Sequence, residues 1–116
     1  MTRSASFIRR EGEGNNPFFG IKEEEGNSAP TFVDLDNDND MDLVIGHKGG
    51  KFSYYENTGN NGYPTFTERG EESNDGVNFD GIAAFSYSAP AFSDINGDLY
   101  PDFFIGNDDR NLYYYE

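Results

Sequence analysis

Apolar residues along this chain come in short runs, broken every few positions by Gly, Asn, Asp and Pro. That texture belongs to strands joined by turns. Strands are expected near 30–34, 42–46, 51–57 and 64–68, and again near 89–94, 102–106 and 111–116. Two more are expected near 6–10 and 18–22. His47-Lys48-Gly49-Gly50 reads as a tight hairpin, because glycine reaches positive φ without a Cβ clash. Asn107-Asp108-Asp109-Arg110 occupies the equivalent place in the second half. Pro30 and Pro90 stand where strands begin, a position that tolerates the missing N–H. No helical periodicity of any length interrupts the pattern, so the expected fold class is all-β.

The runs repeat. Ser28-Ala29-Pro30-Thr31-Phe32-Val33-Asp34 returns as Ser88-Ala89-Pro90-Ala91-Phe92-Ser93-Asp94, an offset of 60 from Ala29 to Ala89. The same offset carries Asp36 to Asn96, Asp38 to Asp98, Asp42 to Asp102, Gly46 to Gly106 and Tyr54-Tyr55-Glu56 to Tyr114-Tyr115-Glu116. A weaker third copy matches Gly12, Pro17 and Phe19 to Gly59, Pro64 and Phe66, an offset of 47. The difference of 13 residues fits a longer connection at 69–87. Repeats of ~40–60 residues point to solenoids or propellers. A strand, a loop, a hairpin and a return strand make one four-stranded antiparallel β-propeller blade. On this reading 1–27 is a partial blade of outer strands with its connection, 28–87 a blade with its insertion at 69–87, and 88–116 a second, truncated copy. That amounts to about two blades, an incomplete propeller fragment, where closure takes at least about four. Exposed blade faces and strand edges invite adjoining blades of a longer chain or self-association.

The 116 residues carry 8 basic and 22 acidic side chains, a formal charge of −14. Nucleic acid and anionic membrane surfaces both demand the opposite sign, so neither is an expected partner. A divalent cation suits the charge, since each bound ion cancels two units of it. Acidity with few apolar residues also marks disordered chains. Against disorder stand 11 Phe, 8 Tyr and the intact apolar runs Leu43-Val44-Ile45 and Phe103-Phe104-Ile105. There are no cysteines, which excludes disulfides and thiolate metal sites. No stretch approaches the ~20 apolar residues of a membrane span, so no membrane insertion is expected. Met1 to Arg10 lacks an apolar core, so no signal peptide is visible there.

The charge is concentrated in two loops, 34–42 (DLDNDNDMD) and 94–102 (DINGDLYPD). Oxygen-bearing side chains fall at loop positions one, three, five and nine: Asp34, Asp36, Asp38 and Asp42, then Asp94, Asn96, Asp98 and Asp102. A hard cation such as Ca²⁺ takes 6–8 oxygens at ~2.3–2.6 Å, and alternate residues of a curled loop can face one ion. The backbone carbonyl at position seven, of Asp40 or Tyr100, completes the ring, leaving the Asp40 side chain exposed. The spacing is that of an EF-hand opening, but Ile45 and Ile105 stand where its closing glutamate belongs, and no helices flank it. The competing reading is a solvated acidic loop. It is costly if the loop is ordered, because two carboxylates ~5 Å apart repel by about 3 kcal/mol at an effective dielectric of ~20.

Ala-Pro-x-Phe-x-Asp, the acidic loop and the Phe/Val-Ile-Gly run together resemble the FG-GAP/VCBS repeat family. DLDNDNDMDLVIG and DINGDLYPDFFIG look like its repeat core, and YYENTG followed by YPTF fits it as well. The resemblance covers 28–68 and 88–116 well and 6–27 loosely. It implies a calcium-stabilised β-propeller of the type found in integrin α-chains and microbial surface proteins. About two Ca²⁺ ions are implied, one per loop, with a location outside the cell or at its surface. Departures are the insertion, Asn96 in place of Asp, and the small number of blades.

Two functions follow. One is a non-enzymatic adhesion or ligand-binding module with structural calcium and a protein or carbohydrate ligand. The other is the propeller portion of a secreted carbohydrate-active or other hydrolytic enzyme. Against the enzyme stand a single histidine, His47 in a hairpin tip, and the lack of a G-x-S-x-G elbow. The carboxylate pairs suited to glycoside hydrolysis are already committed to the loops. No catalytic residue is assigned. Tyr54, Tyr55 and Tyr113 to Tyr115 suit either a sugar-stacking platform or packing between blades, with packing the simpler role. Glu23 to Glu25 and Glu71-Glu72 read as solvated charge.

Overall fold

The computed structural model describes residues 4–14, 16–21, 28–46, 52–59, 62–70, 89–106 and 112–116. The hairpins expected at 47–50 and 107–110, most of the insertion and both glutamate runs lie outside these residues. Seven strands form: β1 (Ala29–Val33), β2 (Asp42–Gly46), β3 (Phe52–Asn57), β4 (Phe66–Gly70), β5 (Ala89–Ser93), β6 (Asp102–Gly106) and β7 (Leu112–Tyr115). They make two antiparallel sheets, of order β1-β2-β3-β4 and β5-β6-β7. Among the described residues there is no helix, and so none long and apolar enough to cross a membrane.

The sequence repeat is a structural repeat. β1 pairs with β2 from Ala29↔Gly46 to Val33↔Asp42, and β5 with β6 from Ala89↔Gly106 to Ser93↔Asp102. Likewise Leu43↔Tyr55 and Val44↔Tyr54 become Phe103↔Tyr115 and Phe104↔Tyr114. The fourth strand starts two residues later than the pattern suggested. Pro64 has no N–H to give, and the Thr65 N–H goes to Asn57 Oδ1 at 3.2 Å, so the ladder opens at Phe66. A bulge between Tyr54 and Tyr55 then lets Arg69 form a two-nitrogen fork on Glu56 Oε2, at 2.9 and 2.7 Å.

The strands expected near 6–10 and 18–22 do not form among the described residues. Residues 4–11 are exposed coil, with Phe7 and Ile8 facing solvent and no sheet beside them. At 16–21 local turns consume the donors instead. Phe18 N–H bonds Asn16 Oδ1, Phe19 N–H the Asn16 carbonyl and Ile21 N–H the Phe18 carbonyl.

Because side chains alternate along a strand, each sheet has two unlike faces. The front face of the first sheet carries Pro30, Phe32, Leu43, Ile45 and Tyr55; its back face carries Val33, Val44, Phe52 and Tyr54. The main core lies where the back of the first sheet meets the front of the second. Val33, Val44, Phe52 and Tyr54 pack there with Phe103 and Ile105, flanked by Leu35, Phe92, Tyr113 and Tyr115. Phe103 is the hinge of this contact, edge-on to Phe52 at 5.3 Å and stacked on Phe92 at 4.6 Å. A second cluster covers part of the first sheet's front, with Leu43, Ile45 and Tyr55 under Ile21 and Phe66.

Asn57 ends β3 and organises the link to β4. Its Oδ1 accepts the N–H groups of Gly59 and Thr65, while Thr58 N–H reaches the Thr65 carbonyl at 2.7 Å. Gly59 has no alternative here, since a Cβ would collide with the Tyr63 carbonyl oxygen. Replacing Ile105, which is fully buried between the sheets, with alanine is expected to cost about 2–5 kcal/mol. Gly59→Ala is expected to cost about 1–3 kcal/mol through overpacking against backbone. Denaturant titration of both variants checks these values, and an unchanged midpoint for Ile105→Ala would mean the sheets do not share a core.

Candidate metal centre

Each acidic loop is curled by its own carboxylates. Asp34 accepts the N–H groups of Asp38 and Asn39, at 3.2 and 2.9 Å. Asp94 does the same for Asp98 and Leu99, at 3.2 and 2.9 Å, and also takes Gly97 N–H at 2.8 Å. Asp38 accepts Asp40 N–H, as Asp98 accepts Tyr100 N–H. Asp42 and Asp102, both buried, accept the N–H of Leu35 and Ile95 and so close each loop onto its first turn. Loop positions four and six are left-handed in both copies: Asn37 and Asn39 at φ 61° and 70°, Gly97 and Leu99 at φ 76° and 73°. Asn and Gly accept that conformation readily; leucine is strained by it.

The curl gathers negative charge. Oxygens of Asp34, Asp36 and Asp42 lie within 4.8 Å of one another, as do those of Asp36, Asp38 and Asp40. Asp36 belongs to both groups, so one loop draws five carboxylates into a continuous cluster. Asp40 departs from expectation. Its side chain is not the exposed one foreseen from its position; it is only 8% accessible and turned in beside Asp36 and Asp38. Its Oδ1 is buried and accepts no hydrogen bond. Burial first, then the shared hydrogen bond with Asp38 and the charges of Asp38, Asp42 and Asp34, push its carboxyl up to about 6. Burial acts on Asp38 as well, but hydrogen bonds with Asp40 and Asp36 outweigh it and hold that carboxyl below its ordinary value. Asp42 is raised by burial, against the N–H bonds it receives from Asn57 and Leu35.

The second loop has the same backbone with a looser set of side chains. Asp94, Asn96, Asp98 and Tyr100 are exposed and only Asp102 is buried. Among the described residues it forms no group of three close acidic oxygens. Asn96 donates from Nδ2 to Glu116 Oε1 at 3.0 Å and accepts Asp98 N–H on Oδ1. Glu116 was not anticipated as a neighbour of this loop. The repeated Tyr-Tyr-Glu ending was the available signal, yet its counterpart Glu56 pairs with Arg69 instead. Asn57 was also missed. Its N–H meets Asp42 Oδ1 at 2.9 Å, which joins the first loop to the end of β3.

The donor set is entirely oxygen and strongly anionic, which suits a hard divalent cation and not a soft one. The orphaned buried oxygen of Asp40 fits the same chemistry, because a buried acceptor without a partner is destabilising until a donor or cation meets it. The tyrosines weighed as a sugar platform are divided: Tyr54 and Tyr55 are buried in the sheets, whereas Tyr114 is half-exposed. No family model, no curated protein and no solved structure matches this chain.

A carboxyl whose pKa rises on folding binds more protons in the native than in the unfolded state, so stability falls as pH rises between the two values. Without divalent cations, the Asp40 contribution is therefore present below about pH 4 and lost as pH climbs through about 6. The upward shift of Asp42 acts in the same sense, while the lowered Asp38 acts below that window. Thermal melts in chelator across this range are expected to show a falling midpoint, and Asp40→Asn is expected to flatten it. Leu99→Gly is expected to stabilise by about 1 kcal/mol through relief of left-handed strain, read as a raised midpoint.

Proposed function

We propose that this chain is a calcium-binding repeat module whose two sheets are β-propeller blades of the FG-GAP/VCBS type. The observation that carries the metal reading is the first loop, where five carboxylates crowd around Asp36 and a buried Asp40 oxygen is left unmatched. Asp34, Asp36, Asp38 and Asp42 would hold the ion there, with Asp40 beside them. Asp94, Asn96, Asp98 and Asp102, with the Tyr100 carbonyl, would hold a second ion with fewer charges and lower affinity. What the cation supplies is charge neutralisation: it lets the loop keep a curl its own repulsion opposes. Flexible all-oxygen loops favour Ca²⁺ over Mg²⁺, which prefers a rigid octahedron and keeps its waters.

The module is a binding or adhesion unit, not an enzyme, and it works outside the cell or at its surface, where calcium is abundant. The carboxylates of the first loop are gathered on one another and Glu56 is paired with Arg69, so a protein or carbohydrate ligand would meet the other strand-connecting loops. Nucleic acid is an unsuitable partner for a chain of formal charge −14.

Calorimetric titration of the metal-stripped 116-residue chain with calcium is expected to reveal two unequal sites. A melting midpoint that rises with calcium concentration should accompany them, since a ligand of the native state stabilises it. Asp36→Asn is expected to weaken the tighter site by at least about tenfold, ~1.4 kcal/mol, and Asp38→Ala to abolish it while sparing the weaker one. No heat and no shift from a chain that is folded by circular dichroism would dismiss the calcium reading.

A further inference from the structure

The two sheets meet through unlike faces, the back of the first against the front of the second. Among the described residues, the faces without a facing sheet are the front of the first sheet and the back of the second. Residue by residue, across the 60-residue offset of the repeat, these are the same two faces that already mate inside the chain.

On the back faces, and along β1 and β5, exposure follows the presence of a neighbouring sheet, whereas Leu43, Ile45 and Tyr55 on the first sheet's front are buried under Ile21 and Phe66. On the back face Tyr54 is 0% and Phe52 3% accessible, but their counterparts Tyr114 and Leu112 are 46% and 73%. Leu35 packs on the core, whereas its counterpart Ile95 is 61% accessible. On the front face Pro90 is buried and Phe92 partly so, while Pro30 and Phe32 are exposed. Leu112 and Tyr114, both large and exposed, thus lie on the back of the second sheet, where Phe104 and Tyr114 are 5.2 Å apart, centroid to centroid, and exposed Ile95 stands in the adjoining loop. The front of the first sheet is partly capped: Phe18 stacks on Phe66 at 5.0 Å and leans on Phe32 of β1 at 5.8 Å, and Ile21 packs with Phe66 over Leu43, Ile45 and Tyr55. Over β1 and β2 an apolar cleft of about 320 Å³ stays open between Phe18, Ile21, Pro30, Phe32, Leu43 and Ile45. That open part is where the internal contact has its weight, since there it is β5, the counterpart of β1, that packs on the facing sheet.

We propose that the exposed back face of the second sheet, around Leu112, Tyr114 and Ile95, docks the front face of the first sheet of a second copy of this chain. The contact reproduces the one already made internally, so the chain supplies both halves of it. It is heterologous, head to tail, and each added copy again presents one open face of each kind. The inference rests on the sheet packing and is independent of the calcium reading.

Sedimentation velocity of the full chain at physiological ionic strength, where its negative charge is screened, tests the proposal over a wide range of concentration. The wild-type chain is expected to grow beyond a monomer as concentration rises. Leu112→Lys spoils the back face and Phe32→Lys the front. Both sites are exposed, and both changes lower the net charge, so lost association cannot come from added repulsion. Each variant alone is expected to stay monomeric, with an unchanged far-ultraviolet dichroism spectrum. Mixed in equal amounts they are expected to form a dimer of twice the monomer mass and nothing larger, because one keeps the front face and the other the back. If either variant proves unfolded, Pro30→Lys replaces Phe32→Lys and Ile95→Lys replaces Leu112→Lys. A wild-type chain monomeric throughout, variants that still associate alone, or a mixture that stays monomeric would each overturn the proposal. Variants that self-associate would point to a symmetric contact through some other surface.

Discussion

The carboxylate of Asp42 is buried, among the described residues no cationic side chain pairs with it, and backbone N–H groups hold both of its oxygens. One bond reaches Leu35 at the mouth of the loop and the other reaches Asn57 at the end of β3. A single side chain therefore fixes where the loop closes, where β2 begins and how β3 ends. Burial of that charge is unfavourable on its own, as the raised pKa records, and hydrogen bonds from two amides offset part of it. Asn57 then passes the constraint on to Gly59 and Thr65, and so to the position of β4. Asp102 begins the same arrangement in the second copy through Ile95.

The two loops are one backbone with two electrostatic settings. Both carry the same left-handed pair of residues and the same first-to-fifth and fifth-to-seventh bonds. The first adds Asp40 to a cluster that already repels itself; the second places Tyr100 there and Asn96 where its partner has Asp36. Burial raises the Asp40 carboxyl and the hydrogen bond it shares with Asp38 adds to that rise, while the same bond helps hold Asp38 below its ordinary value. Tyr100 has no such partner and remains 69% accessible. On the calcium reading proposed above, the same backbone with unequal charge would give two sites of graded affinity.

Much of this was legible in the sequence because the signals are local and occur twice. Strands and loop boundaries follow from short apolar runs, such as Leu43-Val44-Ile45 and Phe103-Phe104-Ile105, set between acidic and glycine-bearing breaks. The expectations that failed depended on neighbours. At 6–10 Phe7 and Ile8 sit side by side and not in alternation, and among the described residues no partner strand lies beside them, so no ladder forms. At 16–21, Asn16 captures local N–H groups that a sheet would have needed. The inward turn of Asp40 could not be read either, since a carboxylate at a position filled by its carbonyl looks like surrounding solvent charge. Nor could the sequence reveal that equivalent residues such as Tyr54 and Tyr114 live in opposite environments, because the difference lies in which sheet stands next to them.

Sheets that join back to front differ in one respect from sheets that join through matching faces. A self-matching joint saturates after two members, and enlarging it requires inventing a new surface. The joint in this molecule is directional, so duplicating one coding unit yields a layer already fitted on both sides. A chain built this way can lengthen or shorten by whole units without a new kind of joint. The joint also accepts unequal fillings, since Phe52 and Phe103 stand where the other copy has Leu112 and Leu43.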